Sequence, residues 1–169
     1  MKKITFVLAF IGMITLQGCT KTEVVNNTVL SKVYELRNVN FALNANSGYT
    51  IYQTLNPQIS LSDVILIYRL SGTINPSTPI WQQIPRTLYL TQGELDYDFD
   101  FSKEDFTIYA GGTYDLSLTP SYLNNQTFRL VIIPGYASNK QVAKNIDYSD
   151  YNAVINAYHL YNAEIKILN

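Results

Sequence analysis

Four carboxylates recur at every second position in Glu94-Leu95-Asp96-Tyr97-Asp98-Phe99-Asp100-Phe101. On a strand, whose side chains alternate between faces, that spacing projects all four acids from one side and Leu95, Tyr97, Phe99 and Phe101 from the other. Three chemistries compete for the pattern. A calcium loop beginning at Asp96 would need Gly at its sixth position and Glu at its twelfth. The chain has Phe101 and Thr107 there, and the alternating apolar residues demand a strand. Glycoside hydrolysis could use Glu94, Asp96 and Asp98, since a retaining mechanism needs a nucleophile and an acid/base about 5 Å apart. Against it, Asp98 is one methylene shorter than a Glu, and the domain is small for a sugar cleft. The third reading, which we favour, is the solvated face of an antiparallel strand, whose charges also discourage edge-to-edge pairing.

The remaining reactive residues are sparse. His159 is the single histidine, so a two-histidine metal site cannot form and a Ser–His–acid triad would have to use this one imidazole. It falls where a helix is expected to end, which suits a structural or capping role. Trp81, the single tryptophan, is either a sugar-stacking platform or part of the core, and core is the commoner fate in a sandwich. Fourteen tyrosines suit both strands and ligand surfaces, because each pairs a flat apolar face with a polar tip. The glycines form no phosphate-cradling pattern, so no nucleotide cofactor is expected.

At the start of the chain, Met1-Lys2-Lys3 precedes a short apolar run from Ile4 to Leu16. Thirteen residues are too few for a bilayer core, which takes roughly 20 in a helix. A charged start, a short apolar stretch and small residues after it describe a secretory signal. The run closes on Leu16-Gln17-Gly18-Cys19, which resembles the lipobox of bacterial lipoproteins. That resemblance implies cleavage before Cys19 and a diacylglycerol thioether on its sulfur. Two or three acyl chains would anchor stably, at about 0.8 kcal/mol per buried CH₂.

Removing residues 1–18 leaves 151, enough for one domain with a substantial core. Lys2 and Lys3 go with the signal, leaving 10 basic against 13 acidic side chains. Mild acidity without a basic block argues against nucleic acid as a partner. Both methionines lie in the signal, so Cys19 is the last sulfur. Disulfides, zinc–thiolate sites and iron–sulfur clusters within the mature chain are thereby excluded. Residues 19–32 read as the lipidated cysteine and a polar tether, and 33–169 as the folded domain.

The elements that must position any site are short β-type runs separated by turn residues. Val33–Leu43 alternates, placing Val39, Phe41 and Leu43 on one face. Strands follow at Tyr49–Leu55, Val64–Leu70, Ile80–Ile84, Thr87–Thr91, Glu94–Phe101, Phe106–Ala110 and Phe128–Ile133. Ser71–Pro79 reads as the longest loop. The nearly unbroken apolar runs Val64–Leu70 and Phe128–Ile133 predict strands covered on both faces. Gly93 and Gly111-Gly112 read as sharp turns taking positive φ. Tyr151, Val154, Ile155 and Tyr158 form one helical stripe, which Ser149 or Asp147 could cap. A last strand is expected over His159–Leu168. The fold class is therefore all-β, an antiparallel β-sandwich (immunoglobulin-like or similar) with one short helix near the C-terminus.

The lipobox, Asp63–Leu70, Trp81 ahead of Ile84-Pro85, Tyr97–Phe101, Phe128–Pro134 and Asp147–Tyr151 together resemble small cell-envelope lipoproteins of the Bacteroidota, a group with no established functional residues. The resemblance spans nearly the whole chain. It implies an envelope location, a membrane contact through lipid on Cys19 and a non-catalytic binding or structural role. Glycan and envelope protein are the partners considered, with a carbohydrate-binding accessory role or a small glycoside hydrolase as alternatives. No cofactor and no metal are expected.

Overall fold

The structure, a computed structural model, describes residues 31–135 and 145–168. Cys19 and the signal motif Leu16, Gln17 and Gly18 lie outside the described residues. Among the described residues, ten strands form two five-stranded sheets. The first holds β1 (Lys32–Val39), β4 (Val64–Asn75), β5 (Thr78–Ile84), β9 (Gln126–Ile133) and β10 (Ile165–Leu168), in the order β10-β1-β9-β4-β5. The second holds β2 (Ala42–Asn44), β3 (Gly48–Thr54), β6 (Arg86–Leu90), β7 (Gly93–Phe101) and β8 (Asp105–Gly112), in the order β2-β3-β8-β7-β6. Pairing is antiparallel except for β10, which runs parallel to β1 with Val33 opposite Ile165. The expected antiparallel sandwich with a short helix is therefore what the chain forms, with one parallel strand added at an edge.

The inner faces meet in a core that includes Leu36, Ile51, Ile65, Ile67, Leu95, Ile108, Leu130 and Ile132. Phe41, Tyr97 and Phe128 form its aromatic centre, with ring centroids 5.9–6.4 Å apart. The helix α1 (Tyr151–Ala157) covers the outer face of the first sheet. Val154, Ile155 and Leu160 pack there against Val33, Tyr68, Val131 and Ile133. That cover explains the two apolar runs: in β9 and over Ile65–Leu70 of β4, odd and even residues alike are buried or half-buried. Tyr68 and Tyr97 bury their rings and satisfy their hydroxyls by donating to the carbonyls of Tyr148 and Tyr122, each at 2.7 Å.

Several local expectations are corrected. Val33–Leu43 is not one strand. Asn38 takes φ +53, the register shifts between Leu36 and Val39, and the chain re-enters pairing as β2 in the other sheet. Phe41 is buried there, whereas Leu43 is 70% exposed. Lys32, assigned to the tether, already pairs with Ile132. Ser71–Pro79 is no loop but the tip of the long β4–β5 hairpin, whose exposed polar residues mimic a loop composition. Gly93 does take positive φ (+141), but Gly111 and Gly112 belong to β8. At Gly112 the requirement is close approach, because a Cβ would lie 2.4 Å from the Glu94 carbonyl oxygen.

The helix ends also differ from expectation. Asp150, rather than Ser149 or Asp147, is the N-cap, accepting from the N–H groups of Asn152 and Ala153. The last strand spans only Ile165–Leu168, since the expected start at His159 forms a helix stop instead. His159, at φ +55, donates its N–H to Asn156 O, and Leu160 N–H donates back to Ile155 O at 2.8 Å. This pair of reversed bonds is a Schellman motif, with His159 in the left-handed position usually held by Gly.

Candidate functional site

The acidic face of β7 is where the sequence places it. Leu95 and Tyr97 point into the core, while Glu94, Asp98 and Asp100 are exposed and Asp96 is half-buried. Three of the carboxylates are engaged within their own sheet. Thr87 Oγ1 donates to Asp96, Phe99 N–H donates to Asp98 at 2.8 Å, and Tyr109 OH donates to Asp100 at 2.8 Å. Tyr109 is held above the ordinary phenol range, first by that bond to Asp100. One detail of the expectation is corrected. β7 lies between β8 and β6, so its charges guard no sheet edge.

His159 is exposed at the helix stop, and Trp81 is half-buried on the outer face of the first sheet. Trp81 belongs to a network rather than to the inter-sheet core. Arg129 lies 4.4 Å over its ring and 5.4 Å from the ring of Tyr151, and Arg129 Nη1 donates to Tyr151 OH at 2.9 Å. Arg129 Nε donates to Glu35 at 2.6 Å, and Arg37 Nε donates to the other Glu35 oxygen. Burial alone would raise the Glu35 carboxyl. The hydrogen bonds and charges of Arg37 and Arg129 outweigh it and hold the group below the ordinary carboxylate range. With its ring already covered by Arg129 and Tyr151, Trp81 joins helix to sheet rather than offering a bare stacking platform. Its Nε1 is buried without an acceptor among the described residues.

A different arginine stands without an acid. Arg69 follows Ile65 and Ile67 at period two on β4 and so points between the sheets, only 8% exposed. Arg69 Nε donates to Gln126 Oε1 at 2.8 Å, and its guanidinium lies 4.8 Å over Tyr97 and 5.7 Å from Tyr122. Gln126 is fixed in turn, donating to the carbonyls of Ser121 (2.8 Å) and Asn124 (2.7 Å). Across the second sheet, Arg86 pairs in register with Tyr97. Among the described residues, the ion pairs are Arg37–Glu35, Arg129–Glu35 and Lys103–Glu104, so neither Arg69 nor Arg86 takes part in one. Tyr97 supplies no counter-charge. Burial pushes its phenol up to about 12 despite the opposing pull of Arg69, so it is neutral at pH 7.

These groups open onto a groove of about 400 Å³ between the two sheets. Arg69, Ser71 and Gln82 form one wall, Tyr122 closes an end, and the strand β6 from Arg86 to Leu90 forms the other wall. Among the described residues β6 pairs only with β7, so its outer edge has no strand partner there. Tyr89 on that strand is 80% exposed. No protein family, curated protein or solved structure matches the chain. Among the described residues, no cluster of His, Cys, Asp and Glu could hold a metal ion, and no helix is long and apolar enough to cross a membrane.

Sequence reasoning missed this groove. Its signal was the parity of Arg69 with Ile65 and Ile67, which places a guanidinium on the core face of an otherwise apolar strand.

Proposed function

We propose that the chain is a lipid-anchored module of the bacterial cell envelope that binds a saccharide without transforming it. Leu16-Gln17-Gly18-Cys19 supports the anchor, and the polar residues that follow it support a tether between lipid and domain. The groove supports the binding role, and one observation carries it: a buried guanidinium with no acid beside it among the described residues. Desolvating a charge without a partner costs several kcal/mol, and the faces of Tyr97 and Tyr122 return only about 0.5–2 kcal/mol each. Such an arrangement is costly for folding alone and is accounted for by a ligand that completes it. Hydroxyls and an amide around the charge, with tyrosine faces nearby, match a sugar's mixture of hydroxyls and apolar C–H surface.

Two measurements test the two halves. Metabolic labelling with an acyl-chain probe should mark the native chain and not Cys19→Ala, which should also leave the membrane fraction; an unlabelled native chain refutes the anchor. Titration of the full chain with oligosaccharides should perturb tyrosine fluorescence in the native protein and not in Arg69→Gln. Identical responses in both would move the site elsewhere.

A further inference from the structure

We propose that Arg69 and Arg86 read an anionic group on the ligand, making the groove a site for acidic saccharides carrying a uronate carboxylate or a sulfate ester. The inference rests on the groove reading above and specifies its ligand. Arg69 is oriented before any ligand arrives, because Nε is occupied by Gln126 and Gln126 is itself held by two backbone carbonyls. A guanidinium fixed in this way meets a planar carboxylate or a sulfate face with two parallel N–H bonds. Arg86 reaches the same place from the other sheet, since its register partner Tyr97 is the ring beneath Arg69. No described carboxylate pairs with either arginine. Of the two acids flanking Tyr97 on the neighbouring strand, Asp96 accepts from Thr87 Oγ1 and Asp98 from Phe99 N–H. Two positive groups converging without a negative one favour an anion over a neutral sugar. Arg69, only 8% exposed, presents its charge to a ligand with less screening than a side chain on an open surface would. The Tyr122 hydroxyl and the Gln82 amide then serve the ring hydroxyls of the sugar rather than its charge, while the Ser71 and Thr87 hydroxyls, which donate to Ile80 O and Asp96, are left to accept.

The test is isothermal titration of the full chain, purified in detergent, with trigalacturonate, a sulfated disaccharide, maltotriose and an acidic tripeptide. At least one charged saccharide should bind ten times or more tighter than maltotriose, and which one identifies the anionic group. Binding should weaken about tenfold in Arg86→Gln, an exposed position whose change leaves the melting temperature in place, and should vanish in Arg69→Gln. Raising salt from 50 to 500 mM should weaken it further. Equal binding of maltotriose and the charged sugars would overturn the inference while leaving a saccharide module standing. Binding of the acidic tripeptide alone would overturn both the inference and the saccharide reading in favour of a peptide ligand. No response to any of the four would remove the groove from consideration.

Discussion

Glu35 and Arg129 are direct register partners across the β1–β9 pair, and their side chains meet on the outer face with Nε 2.6 Å from the carboxylate. The carboxylate is almost wholly buried, so its two arginines replace the water it has lost. Glu35→Ala should cost about 3 kcal/mol in urea unfolding, the lower end for breaking a buried pair, because Arg129 can still reach some water. The pH dependence follows from the lowered carboxyl. Stability from this group should be complete above about pH 4.5 and lost as pH falls through the depressed folded value. The Glu35→Gln variant should lack that acid-side loss, and identical acid profiles for the two proteins would contradict the pairing.

The helix stop at His159 should be improvable. A left-handed φ strains any residue with a Cβ, so His159→Gly should raise stability by about 0.5–1 kcal/mol. Asp150→Ala should cost about 1 kcal/mol through its lost N-cap bonds. Thermal unfolding of both variants checks the pair, and a destabilised His159→Gly would mean that the imidazole makes contacts outweighing the strain.

Ile67 and Leu130 face each other across the central β4–β9 pair, both fully buried. Truncation of either to Ala should cost about 2–5 kcal/mol, a large share of a total of roughly 5–15 kcal/mol. Losses below about 1 kcal/mol by chemical denaturation would place those strands at a surface.

The acidic face of β7 should be nearly inert to neutralisation. Asp96→Asn with Asp98→Asn should change stability by no more than about 1 kcal/mol, since the Thr87 hydroxyl and Phe99 N–H bonds survive in amide form. Titration calorimetry should show groove binding intact. Loss of hydrolytic turnover in that double variant, or in Glu94→Gln, would instead make the strand an active site.

The two buried strands were legible because their apolar runs leave no polar face, and a helix over the outer face accounts for that. The β4–β5 hairpin was illegible beyond Leu70 because its tip projects past the sandwich. There Thr73 and Asn75 face water on both sides and read as loop. The last strand was overextended because Tyr161, Ala163, Ile165 and Ile167 alternate by chance with polar neighbours. The reversed bonds at His159 and Leu160 are a backbone event that side-chain periodicity does not record. The acidic face was read correctly from period two alone. Arg69 passed unnoticed because a single arginine closing an apolar run resembles the ordinary end of a strand, and its lack of an acidic partner among the described residues is a property of three dimensions.

β1 is the first strand among the described residues, yet it lies inside its sheet, with β9 antiparallel on one side and β10 parallel on the other. If the chain is held through Cys19 as proposed, this has a mechanical consequence. Tension between such an anchor and a bound ligand would enter at the Lys32 end of β1, and its component along the strand is the one the neighbouring strands resist. Both hydrogen-bonded ladders are then loaded in shear, so their rungs share the force and must break together. Were β1 an edge strand pulled sideways, the rungs would open singly, each bearing the whole load in turn. The end at which the chain enters β1 is thus a point of high tensile strength along the strand.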